Sequence, residues 1–153
     1  MLRSSTLVLI AAMGVVGSAA TQETTIRRAD LPAAVERTVQ AQSQGATVRG
    51  FTVETERGAM FYEAEMTVAG HSKDVLMDAT GAVVEVEEQV TLDGLPPAVR
   101  DGLRAKAGTG NIVRVESLTK AKGLVAYEAQ VVTAGKRSEI QVGPDGKPLD
   151  HEE

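Results

Sequence analysis

The chain of 153 residues contains no cysteine and no tryptophan, and its aromatic residues are two phenylalanines and two tyrosines. Without cysteine there can be no disulfide, no zinc–thiolate site and no thiol nucleophile. Four aromatic rings are also few for a surface that stacks nucleic-acid bases. The net charge of −5 argues against a basic nucleic-acid binder, and 42% apolar with 24% charged residues is typical of a globular protein.

Residues 1–20 are predicted to be a signal peptide. Arg3 supplies a positive charge, ten residues without a polar side chain follow from Leu7 to Val16, and small residues occupy 17–20. Ten residues at about 1.5 Å each span only half of a roughly 30 Å hydrocarbon core, so stable membrane insertion is not expected. We therefore expect an exported protein, periplasmic or secreted, in which the polar residues 21–29 form a flexible lead-in.

The remaining chain contains one sequence unit twice. The segment LPAAV at 31–35 recurs 64 residues later as LPPAV at 95–99, and YEAE at 62–65 recurs 65 residues later as YEAQ at 127–130. Gly81 recurs as Gly146, again at 65 residues. These anchors keep the same order and nearly the same spacing, which predicts a first unit at 30–93 and a second unit at 94–153.

Each unit is predicted to contain one helix followed by four strands. The helices begin near Leu31 and Leu95, where apolar residues recur at helical spacing. Strands are expected where apolar and polar residues alternate or turns separate short apolar runs: 48–55, 60–68, around 75–77 and 83–90, then 112–118, 125–133, around 140–142 and 148–151. The expected fold class is α+β, with two tandem α-β-β-β-β units, each a helix packed on an antiparallel sheet, joined in one cooperative body.

The two units resemble the PepSY-like family of secreted bacterial proteins. The resemblance rests on the LPxAV helix start, the Tyr-Glu-Ala-Glu strand and the turns containing Gly81 and Gly146, and it extends over 30–153. It implies tandem units similar to the fold of the β-lactamase inhibitory protein. It also implies binding of a protein or peptide in the bacterial envelope, with inhibition of a peptidase as one form of that function. The family pattern contains no catalytic residue.

The residues themselves indicate no catalytic or metal centre. Of the two histidines, His71 falls in a predicted hairpin turn and His151 lies near the end of the chain. Glu63 and Glu65 are spaced by two along one strand, about 6.6 Å apart, which could suit acid–base chemistry but is more typical of a solvated strand face. We therefore expect no enzyme, no cofactor and no metal; a constellation of facing acids in the folded protein would be needed to change that expectation.

Charge is distributed unequally between the units. The first holds 12 acidic and 4 basic residues, and the second holds 8 acidic and 9 basic residues. If each helix covers one face of its sheet, alternation directs five residues to the other face, which are the candidate partner-binding residues: Phe61, Glu63, Glu65, Glu128 and Gln130. The alternative is that these acids only keep the surface soluble.

The expected function is that of an exported, non-catalytic binding protein, whose partner is an envelope or extracellular protein or peptide. A second hypothesis is binding of a small molecule or a divalent cation by the acidic first unit, with Glu85 and Glu87 as the residues to test. No nucleic-acid partner is expected.

Overall fold

A computed structural model of the protein describes residues 24–56, 58–151 and 153. It contains two α-helices, eight strands and two short 3-10 helices at Arg28–Asp30 and Leu92–Gly94. In chain order the main elements are β1 (Thr24–Ile26), α1 (Ala33–Gln42), β2 (Thr47–Glu56), β3 (Ala59–Val68), β4 (His71–Asp78), β5 (Val83–Val90), α2 (Pro97–Ala107), β6 (Asn111–Lys120), β7 (Gly123–Thr133) and β8 (Lys136–Val142).

The position of most elements agrees with the sequence prediction. Both helices and seven of the eight predicted strands are present. The eighth strand, predicted at 148–151, is absent from the structure. Pro148 in this segment has no N–H to donate to a strand ladder. Conversely, β1 lies within the segment 21–29 that was expected to be a flexible lead-in. The predicted signal peptide, residues 1–20, lies outside the described residues.

The predicted fold class, two tandem α-β-β-β-β units each with a helix on its own sheet, is wrong. The eight strands form one continuous antiparallel sheet in chain order. The junction is the pairing of β5 with β6, which runs from Glu85 opposite Lys120 to Val90 opposite Val115. A separate first sheet would leave the backbone N–H and C=O groups of β5 exposed at an edge, and pairing with β6 satisfies them.

The register also explains how the repeat is built into this sheet. Strand β1 precedes α1 and pairs with β2, just as β5 precedes α2 and pairs with β6. The pattern strand, helix, three strands therefore occurs twice within one sheet. The strand before the first helix was not predicted, because β1 is only three residues long and too short to show a periodic pattern.

Both helices pack on the same face of the sheet. Val35 and Val39 of α1 are completely buried against β2, β3 and β4, and Val99 and Leu103 of α2 are buried against β6, β7 and β8. Each fully buried side chain of this size contributes about 1.5–3 kcal/mol to folding. Two small cores of aliphatic residues thus stabilise one face and leave the opposite face of the described sheet without a helix.

Two tight turns fix the register of the strand pairs that matter for that open face. Ala69-Gly70 joins β3 to β4, and Ala134-Gly135 joins β7 to β8; all four residues have positive φ, between 49° and 87°. Positive φ at both central residues is the type I′ geometry that matches the twist of a two-residue hairpin. The paired turns occur at the repeat spacing of 65 residues.

A second pair of turns holds each helix against the sheet. Gly81 has φ +80° and lies so close to α1 that a Cβ there would be 2.5 Å from the carbonyl oxygen of Ala34. The hydroxyl of Thr38 donates to the carbonyl of Gly81 at 2.6 Å. In the second half Gly146 has the same φ, and its carbonyl oxygen lies against Gly102 in the middle of α2.

The substitution Gly102→Ala is expected to destabilise the protein, although alanine is normally favoured over glycine in a helix by about 1 kcal/mol. The new Cβ would overlap the carbonyl oxygen of Gly146, and such overpacking costs about 1–3 kcal/mol. Urea unfolding followed by circular dichroism measures the effect. Ala105→Gly on the exposed side of α2 supplies the propensity baseline; a more stable Gly102→Ala protein would contradict the packing described here.

Candidate functional site

The candidate site is the sheet face opposite the helices. Alternation along each strand sends Tyr62 and Ala64 into the core and Glu63 and Glu65 to this face. Although no helix of the described chain covers it, Leu118 and Ala126 on this face are 1% and 0% exposed. The face is concave, because side chains from β2 to β8 line one common cleft on it. The chain end also reaches this face, where Glu153 contacts Gln141 and Lys120.

A cleft of about 350 Å³ lies at the centre of the concave face and is lined almost entirely by carboxylates. Its lining comes from six different strands, so β2 and β8 contribute to one space although a flat sheet would hold them roughly 29 Å apart. We call it the acidic cleft, and its lining residues are Glu54, Glu63, Glu65, Asp74, Leu76, Glu85, Glu87, Glu128 and Glu139.

Basic side chains of the described residues, Arg49, Lys120 and Arg114 among them, compensate part of this charge. The guanidinium of Arg49 lies 3.5 Å from Glu65 and 3.1 Å from Asp74. It reaches the concave face because a β-bulge between residues 48 and 50 takes Arg49 out of the regular alternation. Lys120 lies 3.4 Å from Glu85 and 3.1 Å from Glu153. Arg114 forms a close ion pair with Glu116.

Three carboxylates approach one another closely where β4, β5 and β6 meet. Carboxylate oxygens of Asp74, Glu87 and Glu116 lie within 4.8 Å of one another, and Glu116 is only 4% exposed. Burial raises the pKa of Glu87 to about 8, and repulsion from Glu116, Glu85 and Glu128 adds to the effect. Burial also raises the pKa of Asp74, with the cation of Arg49 opposing the shift. The cluster is therefore a constellation of facing acids in which Glu87 holds its proton near neutral pH. Such a constellation was the condition for reconsidering catalysis, so the expected lack of enzymatic activity stays a prediction.

The structure brings three of the five predicted partner-binding residues together. Glu63, Glu65 and Glu128 line the acidic cleft, and Gln141 donates a hydrogen bond to Glu128 at 2.8 Å. The other two lie outside it. Phe61 is half-buried on the same face, between Glu54 of β2 and Asp78 of β4, and Gln130 lines a shallow depression beside Glu139.

Sequence reasoning missed Asp74, Glu116 and Glu139. Each lies on the concave face directly across from a residue of a neighbouring strand: Asp74 opposite Glu65, Glu116 opposite Glu128, and Glu139 opposite Gln130. Alternation along β4 places Asp74 on the same face as Leu76, so the sequence pattern was sufficient to predict that Asp74 lies on the concave face. The facing of Glu87 and Glu116 depends on the β5–β6 pairing, which no local pattern reveals.

Fold and site together define a single, curved antiparallel sheet with two helices on its convex face and an acidic cleft on its concave face. Solved structures with a similar fold include a BLIP-like protein from Bacteroides fragilis, 19% identical, with a TM-score of 0.56 over 78% of this chain and 83% of that chain. The chain therefore has the BLIP-like fold.

Two further solved structures are more similar in shape. A proposed periplasmic protein from Bacteroides eggerthii is 20% identical, with a TM-score of 0.63 over 78% of this chain and 86% of that chain. A DUF2874 family protein from Bacteroides uniformis is 22% identical, with a TM-score of 0.60 over 76% of this chain and 84% of that chain. The description of the first as periplasmic agrees with the export expected for this chain.

No family model and no curated protein matches the chain, so its membership of the PepSY-like family stays a prediction. Among the described residues, no helix is long and apolar enough to cross a membrane.

The raised pKa of Glu87 predicts that stability falls as pH rises. In the unfolded chain this carboxyl loses its proton near pH 4.5, whereas in the folded chain it keeps the proton up to about pH 8. The folded state therefore binds more protons between these values, and the free energy of unfolding declines with pH across the window and levels off above it.

Glu87→Gln removes this decline, because the amide is neutral at every pH. Urea midpoints at pH 6, 7, 8 and 9 should show the variant gaining stability over the wild type with each step up to about pH 8. Glu88→Gln is the matched control, since the neighbouring Glu88 is exposed and lies 3.8 Å from Lys73 on the helix side. Parallel pH profiles for wild type and Glu87→Gln would contradict the assignment.

Proposed function

We propose that this protein is an exported, non-catalytic binding protein of the bacterial envelope that holds a cationic segment of a partner protein or peptide in its acidic cleft. The observation that carries the proposal is the convergence of eight carboxylates from six strands on one concave surface that no helix of the described chain covers. A surface kept only for solubility has no reason to gather its acids in a cleft, where they repel one another and raise the pKa of Glu87.

The shape and charge of the cleft indicate the chemistry of the partner. Field lines from carboxylates on several strands are focused in a concave space, which attracts lysine and arginine side chains and speeds their encounter. Arg49 and Lys120 pair with carboxylates of the cleft in the way that a partner's lysine and arginine side chains would. Leu76 provides an apolar contact within the cleft for the stem of such a side chain.

The fold and the predicted signal peptide support the cellular setting. The periplasmic description of similarly folded proteins fits a partner met in the envelope. The PepSY-like resemblance adds a peptidase as a candidate partner, whose activity the bound protein would restrain. A basic segment near the active site of such an enzyme is the feature to look for.

The double variant Glu63→Gln/Glu65→Gln tests the proposal. The affinity for a lysine-rich peptide of about ten residues is measured by calorimetry at low and at physiological salt. It should weaken about tenfold in the variant, since two of the carboxylates that line the cleft are neutralised. Capture of partners from the source envelope should fall in parallel, without a lower melting temperature.

Glu88→Gln/Asp101→Asn is the matched control, because it changes the net charge by the same amount on the helix side of the molecule. Equal loss of binding in both double variants would show that the effect comes from net charge alone. Unchanged partner capture by Glu63→Gln/Glu65→Gln would refute the proposal that the acidic cleft binds the partner.

A divalent cation is a second candidate ligand, favoured by the close approach of Asp74, Glu87 and Glu116. Three carboxylates supply the oxygen ligands that Ca²⁺ prefers, and the ion would relieve their repulsion. Arg114 competes for this position, because its guanidinium pairs with Glu116 and lies 3.9 Å from Asp74.

Cation binding would stabilise the folded protein by mass action. Millimolar Ca²⁺ or Mg²⁺ should raise the melting temperature of the wild type and have no effect on Glu87→Gln, with Glu88→Gln again as the control. An equal shift in all three proteins would assign the effect to general screening, and no shift in the wild type would remove this candidate.

A further inference from the structure

The outer edge of β8 is one of the two edges of the described sheet. At the opposite edge, β1 contributes only three residues. Residues 136–139 of β8 are all exposed and pair with β7 on one side only. An open edge of this length is a template for another strand.

The hairpin register shows which backbone groups face outward. Thr133 pairs with Lys136 across the two-residue turn, so Lys136, Ser138 and Ile140 direct their N–H and C=O groups toward β7. The groups of Arg137, Glu139 and Gln141 therefore point away from it. An independent contact agrees: the ammonium of Lys106 donates to the outward carbonyl of Gln141 at 3.1 Å. Within the described chain, no hydrogen bond occupies the outward groups of Arg137 and Glu139.

These four free groups and the charges beside them fit a second copy of the same strand. When two β8 strands pair antiparallel about Ser138, Arg137 of each lies opposite Glu139 of the other. Four backbone hydrogen bonds form, and both ion pairs lie on the concave face. Pairing about Arg137 or about Glu139 would instead place like charges opposite each other. Pairing about Ser138 also leaves the Lys106–Gln141 contact intact.

We propose that β8 is a self-pairing edge through which two copies of this chain associate about a two-fold axis at Ser138, joining their sheets and their concave faces. The interface is isologous, as in most homodimers. Strand pairing alone buries less than the roughly 1,200 Å² of a stable complex, so the dimer is weak and forms at high local concentration.

Sedimentation velocity from about 1 µM to 1 mM tests the association, since a weak dimer forms within this range. The wild type should shift from monomer to dimer. Arg137→Glu and Glu139→Arg should each raise the dissociation constant about tenfold, because each places like charges opposite one another twice. The double variant Arg137→Glu/Glu139→Arg should restore the wild-type constant. A wild type that is monomeric throughout, or four proteins with equal constants, would overturn the proposal.

Amide hydrogen exchange provides a second, backbone-level test. Raising the protein concentration should slow exchange at Arg137 and Glu139, whose N–H groups point outward, and leave Ser138 unchanged. Glu139→Pro removes one outward N–H without removing a bond to β7, so it should abolish dimer formation while the melting temperature is kept. Concentration-independent exchange at both amides would also overturn the proposal.

Discussion

The pairing of β5 with β6 is the constraint on which the rest of the structure depends. It joins two similar halves into one sheet, places both helices on the same face and lets the sheet curve as a whole. If the halves were separate, the acids of β3 and those of β7 would face unrelated volumes of solvent. With this junction, Glu63 and Glu128 line the same cleft. The six-residue ladder between Glu85 and Val90 thus creates the candidate site as well as the fold.

The same junction generates the main electrostatic cost in the molecule. It brings Glu87 against Glu116, close to Asp74. The repulsion among these carboxylates is reduced by the proton that Glu87 retains and by the cations of Arg49 and Arg114. A hydrophobic or amide side chain at position 87 would avoid this cost. Retention of an unfavourable cluster at the centre of an accessible cleft is typical of a surface that has a function beyond stability.

Local structure was largely predictable from the sequence because its causes are local. Helical spacing placed α1 and α2, period-two alternation placed β3 and β7, and the glycines at 81 and 146 marked turns that do have positive φ. Strand neighbours were not predictable, because alternation reports which face a residue occupies and not which strand lies beside it. This is why the two-sheet fold was wrong.

The same limit applied to the site. Glu63, Glu65 and Glu128 were found because they alternate with buried residues of their own strands, whereas the approach of Glu116 to Glu87 required the pairing of β5 with β6. Phe61 and Gln130 lie on the concave face, as predicted, but outside the acidic cleft. Whether a residue of this face lines the cleft depends on the strand register and the curvature of the sheet, which alternation does not report.

The central claim is that the concave face, and not the helix side, contacts the partner. Site-specific photo-crosslinking in the source envelope tests it most directly, with a photoreactive amino acid replacing Leu76 in the acidic cleft or Ala105 on the exposed side of α2. If the concave face contacts the partner, a discrete crosslinked partner is expected from position 76 and none from position 105. A partner crosslinked only from position 105 would contradict it.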